Sequence, residues 1–132
     1  MIVDSSALIA ILSDESGSEA LVQALLDGTD RAISAGTLLE ASIVADGPRD
    51  PVRSSRFDAM VEQFGIEVVP VTAEQVRIAR QAYRDYGRGS GHPANLNFGD
   101  CFSYALAAER REPLLYVGDD FGHTDIRSTL AG

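Results

Sequence analysis

Acidic residues stand where chemistry could use them: Asp4 after the apolar run MIV, Glu40 in TLLEASIV, Asp100 in LNFGDCFSYALA, and Asp119 and Asp120 directly after LLYV. Three or more carboxylates brought together repel one another and lose hydration, so such a group is expected to hold a hard cation or to share protons. Mg2+ or Mn2+ is the natural guest. Either ion can polarise a phosphoryl oxygen, generate hydroxide from bound water and stabilise a leaving oxygen, which suits phosphodiester hydrolysis. Apart from Asp4, each acid also has a plain structural use: Glu40 as the partner of Thr37 in a capping box, Asp100 at a helix start, Asp119 and Asp120 in a turn. His92 and His123 have no nucleophile pattern around them and read as surface or hydrogen-bonding residues.

These acids are far apart in the chain, so a fold must bring them together. MIV reads as a strand, followed by Ser5 and Ser6 as N-cap candidates and ALIAIL at helical spacing. A second helix runs over 18–26 and closes at Asp27-Gly28, and RAISA is a strand. Thr37 and Glu40 open a helix that stops at Gly47-Pro48; GPRDPVRSS is a loop, a helix follows over 54–64, and IEVVPV is a strand. Thr72 with Gln75 matches another capping box, opening a helix to Tyr86. The polar GRGSGHPANLN is a surface loop, 99–110 a helix, LLYV a strand, and HTDIRSTLAG one short edge strand.

Strands alternating with helices imply crossover connections, hence an α/β fold with a largely parallel sheet covered on both faces. In such a sheet ligands gather at the carboxyl ends of the strands, where Asp4, Glu40, Asp100 and Asp119-Asp120 all fall. Arg84, Tyr86, Arg88 and His92, ahead of the Asp100 helix, could form a basic and aromatic rim for a nucleic acid strand.

With 132 residues, 45% of them apolar and spread along the chain, one domain over 1–132 is expected, and the chain should fold. No apolar run approaches the roughly 18 to 20 residues that cross a bilayer, and the opening MIVDSS has no basic leader, so no membrane contact is expected. The single Cys101 fits a small buried residue of a reduced compartment, and the expected location is cytoplasmic. A net charge of −9 argues against ordinary phosphate binding. Two facts offset it: every basic residue is an arginine, with no lysine, and acids that ligate a cation would have their charge balanced by it.

MIVDSSALIAIL, TLLEASIV, LNFGDCFSYALA and LLYVGDDFGHTDI, in this order and with these gaps, resemble PIN-domain ribonucleases of the VapC toxin type. The likeness runs end to end. It implies a three-layer α/β/α sandwich, Mg2+- or Mn2+-dependent cleavage of RNA as substrate, and a cognate VapB-type antitoxin that occludes the site. Homodimers are common in that family. By position Asp4 and Asp100 match the family's metal-binding acids, Glu40 its third acid, and Ser6 the small hydroxyl residue that supports the site. Ser5 replaces the more usual threonine. The fourth acid is Asp119 by preference, then Asp120, with Asp125 a further candidate. A haloacid dehalogenase-like phosphatase is the enzyme alternative, but it requires an acid at position 6 and a lysine, and this chain has Ser6 and no lysine. The other alternative is a non-catalytic PIN-like module for RNA or partner binding.

Overall fold

Neighbouring residues of each central strand go to opposite sides of the sheet, and both sides are dry. Ile2, Ala32 and Leu114 belong to one buried cluster and Val3, Ile33 and Leu115 to the other. This is the period-two pattern of a strand covered on both faces. The computed structural model describes residues 1–130. Its parallel sheet has the order β3-β2-β1-β4, formed by β1 (Ile2–Val3), β2 (Ala32–Ser34), β3 (Glu67–Val69) and β4 (Leu114–Leu115). Ile2 is in register with Ala32 on one side and Leu114 on the other.

Helices α1 (Ser5–Leu12), α2 (Ser18–Asp27), α3 (Ala35–Asp46) and α4 (Pro51–Gln63) pack residues such as Leu8, Leu25, Ala41 and Phe57 into the first cluster. Helices α5 (Ala73–Tyr86) and α6 (Phe98–Arg110) supply Ala82, Tyr104 and Leu106 to the second. The arrangement is the expected three-layer α/β/α sandwich. Among the described residues no helix is long and apolar enough to cross a membrane. Cys101 is buried, as expected, with its thiol directed at the Asn97 carbonyl.

Several boundaries differ from expectation, and the caps say why. Helix α3 starts at Ala35 because Ser34 is its N-cap, accepting from the Gly36 amide at 3.2 Å. Thr37 is therefore inside the helix, the Thr37–Glu40 capping box does not form, and Glu40 lies in the second turn. Helix α4 begins within the expected loop, since Asp50 accepts from the Val52 amide and Pro51 takes the first helical position. Thr72 caps α5 through the Gln75 amide at 3.1 Å, but the Gln75 side chain donates to Glu109 instead of returning, so only half of that box exists. Helix α6 starts one residue early, at Phe98, behind a complete Asn97–Asp100 capping box. The expected edge strand is reduced to one bridge between Leu114 and Ser128; positions 131 and 132 of that segment lie outside the described residues.

Candidate active site

From β1 the strand order runs through β2 to β3 on one side, while β4 lies on the other. The reversal opens a crevice at the carboxyl ends of β1 and β4, the position where open parallel sheets bind ligands. A cleft of about 330 Å³ occupies it, with Asp4, Ser6, Glu40, Asp100 and Asp120 in its walls. Asp4 follows β1, Glu40 projects from α3, Asp100 sits in the first turn of α6, and Asp120 follows β4.

Asp4 is only 2% exposed, so its carboxylate needs hydrogen-bond donors in place of water. It has three: the Ser6 amide at 3.1 Å, the Ser6 hydroxyl at 2.7 Å and the Ser103 hydroxyl at 2.5 Å. Leaving such a buried acceptor without a donor would cost about 1–3 kcal/mol. The Ser6 oxygen accepts in turn from the Val117 amide at 3.0 Å, tying the start of α1 to the segment that carries Asp120. Glu40 Oε1 accepts from the Ser5 hydroxyl at 2.7 Å. Asp100 accepts from the Asn97 amide at 3.0 Å, so the acid caps α6 and faces the cleft at once.

Burial pushes the Asp100 carboxyl up to about 7. The Asn97 amide pulls the other way, but repulsion from Asp4 and Asp120 adds to the burial, and the protonated form hydrogen-bonds to Asp120. No arginine or histidine is among the residues that line the cleft. The carboxylates thus meet as repelling neighbours, with Asp4, Glu40 and Asp100 each held by donors of its own. Among the described residues no three acidic, histidine or cysteine side chains are set as a finished cage around an ion. The donor set, all oxygen and anionic, nevertheless fits a hard divalent cation and no soft one.

Residues 1–127 match the PIN domain. This chain belongs to the PIN-domain family. The full chain is also 56% identical over 130 residues to the ribonuclease VapC28 of Mycobacterium tuberculosis, covering 98% of each, which puts this PIN domain in the VapC group. In fold it is similar to M. tuberculosis VapC20, a sarcin-ricin loop cleaving toxin, with a TM-score of 0.73, 16% identity and 95% of each chain covered. It is similar also to a toxin-antitoxin complex from Klebsiella pneumoniae, with a TM-score of 0.70, 19% identity, and 97% of this chain and 96% of that one covered. Family membership sets the haloacid dehalogenase alternative aside.

Within this PIN domain, Asp4, Glu40, Asp100 and Asp120 are gathered in the cleft, whereas Asp119 is exposed and does not line it. The left-handed backbone at Gly118 (φ 103°) turns the chain just before this pair. Asp125 accepts from the Tyr104 hydroxyl at 2.7 Å, away from the lining residues. The expected basic and aromatic rim is divided. Tyr86 and His92 pack edge-on at 4.9 Å, with the His92 Nδ1 accepting from the Ala94 amide, while Arg84 is exposed and Arg88 lines a groove between α5 and α6 that adjoins the cleft at Glu40 and Asn97. His92 is thus a hydrogen-bonding residue, as expected.

Ser103 escaped the sequence reading, and Ser5 entered it as an N-cap candidate and a replacement for threonine but not as the donor to Glu40; a serine inside or opening a helix carries no mark of which acid it will meet. Gly99 escaped it too, although a glycine in the first turn of a helix is a signal of close approach. A Cβ there would collide with the Glu40 carboxylate. Because the carboxylate is the mobile end of its side chain, Gly99→Ala is expected to keep the fold and displace Glu40 from Ser5. Cleavage activity should fall about tenfold or more with an unchanged circular dichroism spectrum. A fully active variant would show that the position of Glu40 does not matter.

Proposed function

We propose that this PIN domain is the toxin of a type II toxin-antitoxin system and cleaves RNA by Mg2+- or Mn2+-assisted hydrolysis. The observation that carries the reading is a cleft walled by four carboxylates and lined by no basic side chain. A phosphodiester would be repelled from it unless a cation intervened. Asp4 and Asp100 are the residues that would hold the ion. When bound, it supplies Lewis-acid polarisation of the phosphoryl oxygen and lowers the pKa of a water. Glu40 and Asp120 complete the shell or orient the attacking water. Ser5 occupies Glu40 Oε1 and leaves Oε2 to accept a proton.

The names of the VapC relatives support RNA as the substrate, and the solved toxin-antitoxin complex supports a VapB-type antitoxin as partner. A homodimer is supported by an open, apolar groove of about 780 Å³ between α5 and α6, where Phe98 is 79% exposed beside Tyr83 and Phe102. A contiguous apolar surface of this kind is expected to be covered.

The test is cleavage of an unstructured RNA with Mn2+ or Mg2+ and with chelator, in wild type, Asp119→Asn and Asp120→Asn. Wild type should cleave only with the ion. Asp120→Asn should lose more than about tenfold, on the scale of a disturbed metal shell, and Asp119→Asn should stay within about twofold, as exposed substitutions away from a site do. The reverse order would move the fourth acid to Asp119. A folded wild type that cleaves no RNA with either ion refutes the reading.

A further inference from the structure

Thr37 and Ser103 are fully buried polar residues on two different helices, and neither acts as a cap. A serine or threonine inside a helix ordinarily satisfies its hydroxyl on the carbonyl four residues back, as Ser42 of α3 does on Leu38 at 2.7 Å. Thr37 and Ser103 do not. Their hydroxyls meet each other at 3.1 Å, and Ser103 also reaches Asp4 Oδ1.

The direction of these bonds follows from proton counting. An ionised carboxylate can only accept, and each hydroxyl has one proton. Ser103 gives its proton to Asp4, so the proton between the two hydroxyls comes from Thr37. Thr37 stands three residues before Glu40 on α3, and Ser103 three after Asp100 on α6, spacings that put each beside an acid on one helix face. The chain Thr37 to Ser103 to Asp4 therefore ties together the three elements that carry Asp4, Glu40 and Asp100. Ser6 holds the other oxygen of Asp4, Oδ2, through both its amide and its hydroxyl, so both carboxylate oxygens are fixed while Oδ1, with its single donor, keeps lone-pair capacity for a ligand.

We propose that Ser103 and Thr37 are positioning residues of the cation site, acting through Asp4 as a one-way hydroxyl chain. The proposal rests on the metal-dependent reading above. Outer-shell donors of this kind orient a ligating carboxylate, and their loss typically lowers metal affinity 10- to 100-fold.

The experiment is calorimetric titration of Mn2+ into the whole chain as wild type, Ser103→Ala, Thr37→Val, Thr37→Ser and the Ser103→Ala/Thr37→Val double variant. Ser103→Ala is expected to weaken binding about 10- to 100-fold. Thr37→Val keeps the shape and removes the hydroxyl, and should weaken binding several-fold; Thr37→Ser keeps the hydroxyl and should bind like wild type. Since both hydroxyls act through one bond to Asp4, the double variant should be no weaker than Ser103→Ala alone. Wild-type affinity in Ser103→Ala overturns the proposal, as do equal losses in Thr37→Val and Thr37→Ser, or losses that multiply in the double variant. Should Ser103→Ala fail to fold, the Thr37 pair decides by itself. A folded wild type that binds no Mn2+ overturns the metal reading and this proposal with it, whereas tight wild-type binding that Ser103→Ala leaves unchanged overturns this proposal alone.

Discussion

Asp100→Asn is expected to be nearly inactive on RNA and, without metal, more stable than wild type at neutral pH. The amide keeps the shape of the carboxylate and can still accept from the Asn97 amide, so the cap of α6 survives. It loses the charge that burial and the Asp4 and Asp120 carboxylates oppose. Cleavage should fall more than about 100-fold, because even an outer-shell partner is worth 10- to 100-fold and this residue is proposed to touch the ion. The metal-free variant should melt higher than wild type at pH 8, by about 2–8 °C for each kcal/mol of repulsion relieved. Thermal melts in chelator and cleavage assays in Mn2+ measure the two effects separately. A variant that cleaves at the wild-type rate removes Asp100 from the chemistry; one that melts lower shows that Asp100 serves mainly as a cap.

That one residue can be both a cap and a candidate ligand explains where sequence reasoning reached and where it stopped. The layers were legible because the strands announce themselves: MIV, AIS and LLYV are short apolar runs set between helical spacings, and alternate residues indeed enter opposite cores. Asp4 and Asp100 were legible for the same reason, since a strand end and a helix start are readable places.

Glu40 was harder. The spacing of Thr37 and Glu40 imitates a capping box, but Ser34 had already capped the helix. Removing that structural explanation leaves Glu40 free for the cleft, where Ser5 holds it. Asp119 and Asp120 cannot be told apart by type or neighbourhood; only the direction of the backbone after Gly118 separates them. Asp50-Pro51 was a readable helix start hidden in a stretch dominated by loop-like residues. The Thr37–Ser103 contact joins residues 66 apart in the chain. No local pattern encodes such a pair, because it depends on how α3 and α6 pack.

The cleft therefore has two states of charge balance, and pH should switch between them. Folding raises the Asp100 carboxyl from 3.8 to about 7, so the folded chain takes up a proton that the unfolded chain releases. The sign follows directly: in metal-free protein this group's contribution to stability is fully present below pH 3.8, is lost as pH rises towards and through about 7, and is gone above it. The quantity to measure is the difference between wild type and Asp100→Asn, which isolates this group and should widen from pH 5 to pH 8 and then level off. With Mn2+ present the sign reverses. The ion needs the ionised carboxylate, so below pH 7 its apparent affinity should drop roughly tenfold per pH unit and binding should release close to one proton. Titrations at pH 6, 7 and 8 in buffers of different ionisation enthalpy would report both. Since no basic side chain lines the cleft, the ion has no side-chain cation to displace, and the proton on Asp100 is the positive charge it exchanges for. Mn2+ affinity that is flat from pH 6 to pH 8 would mean that Asp100 is not the proton the metal displaces.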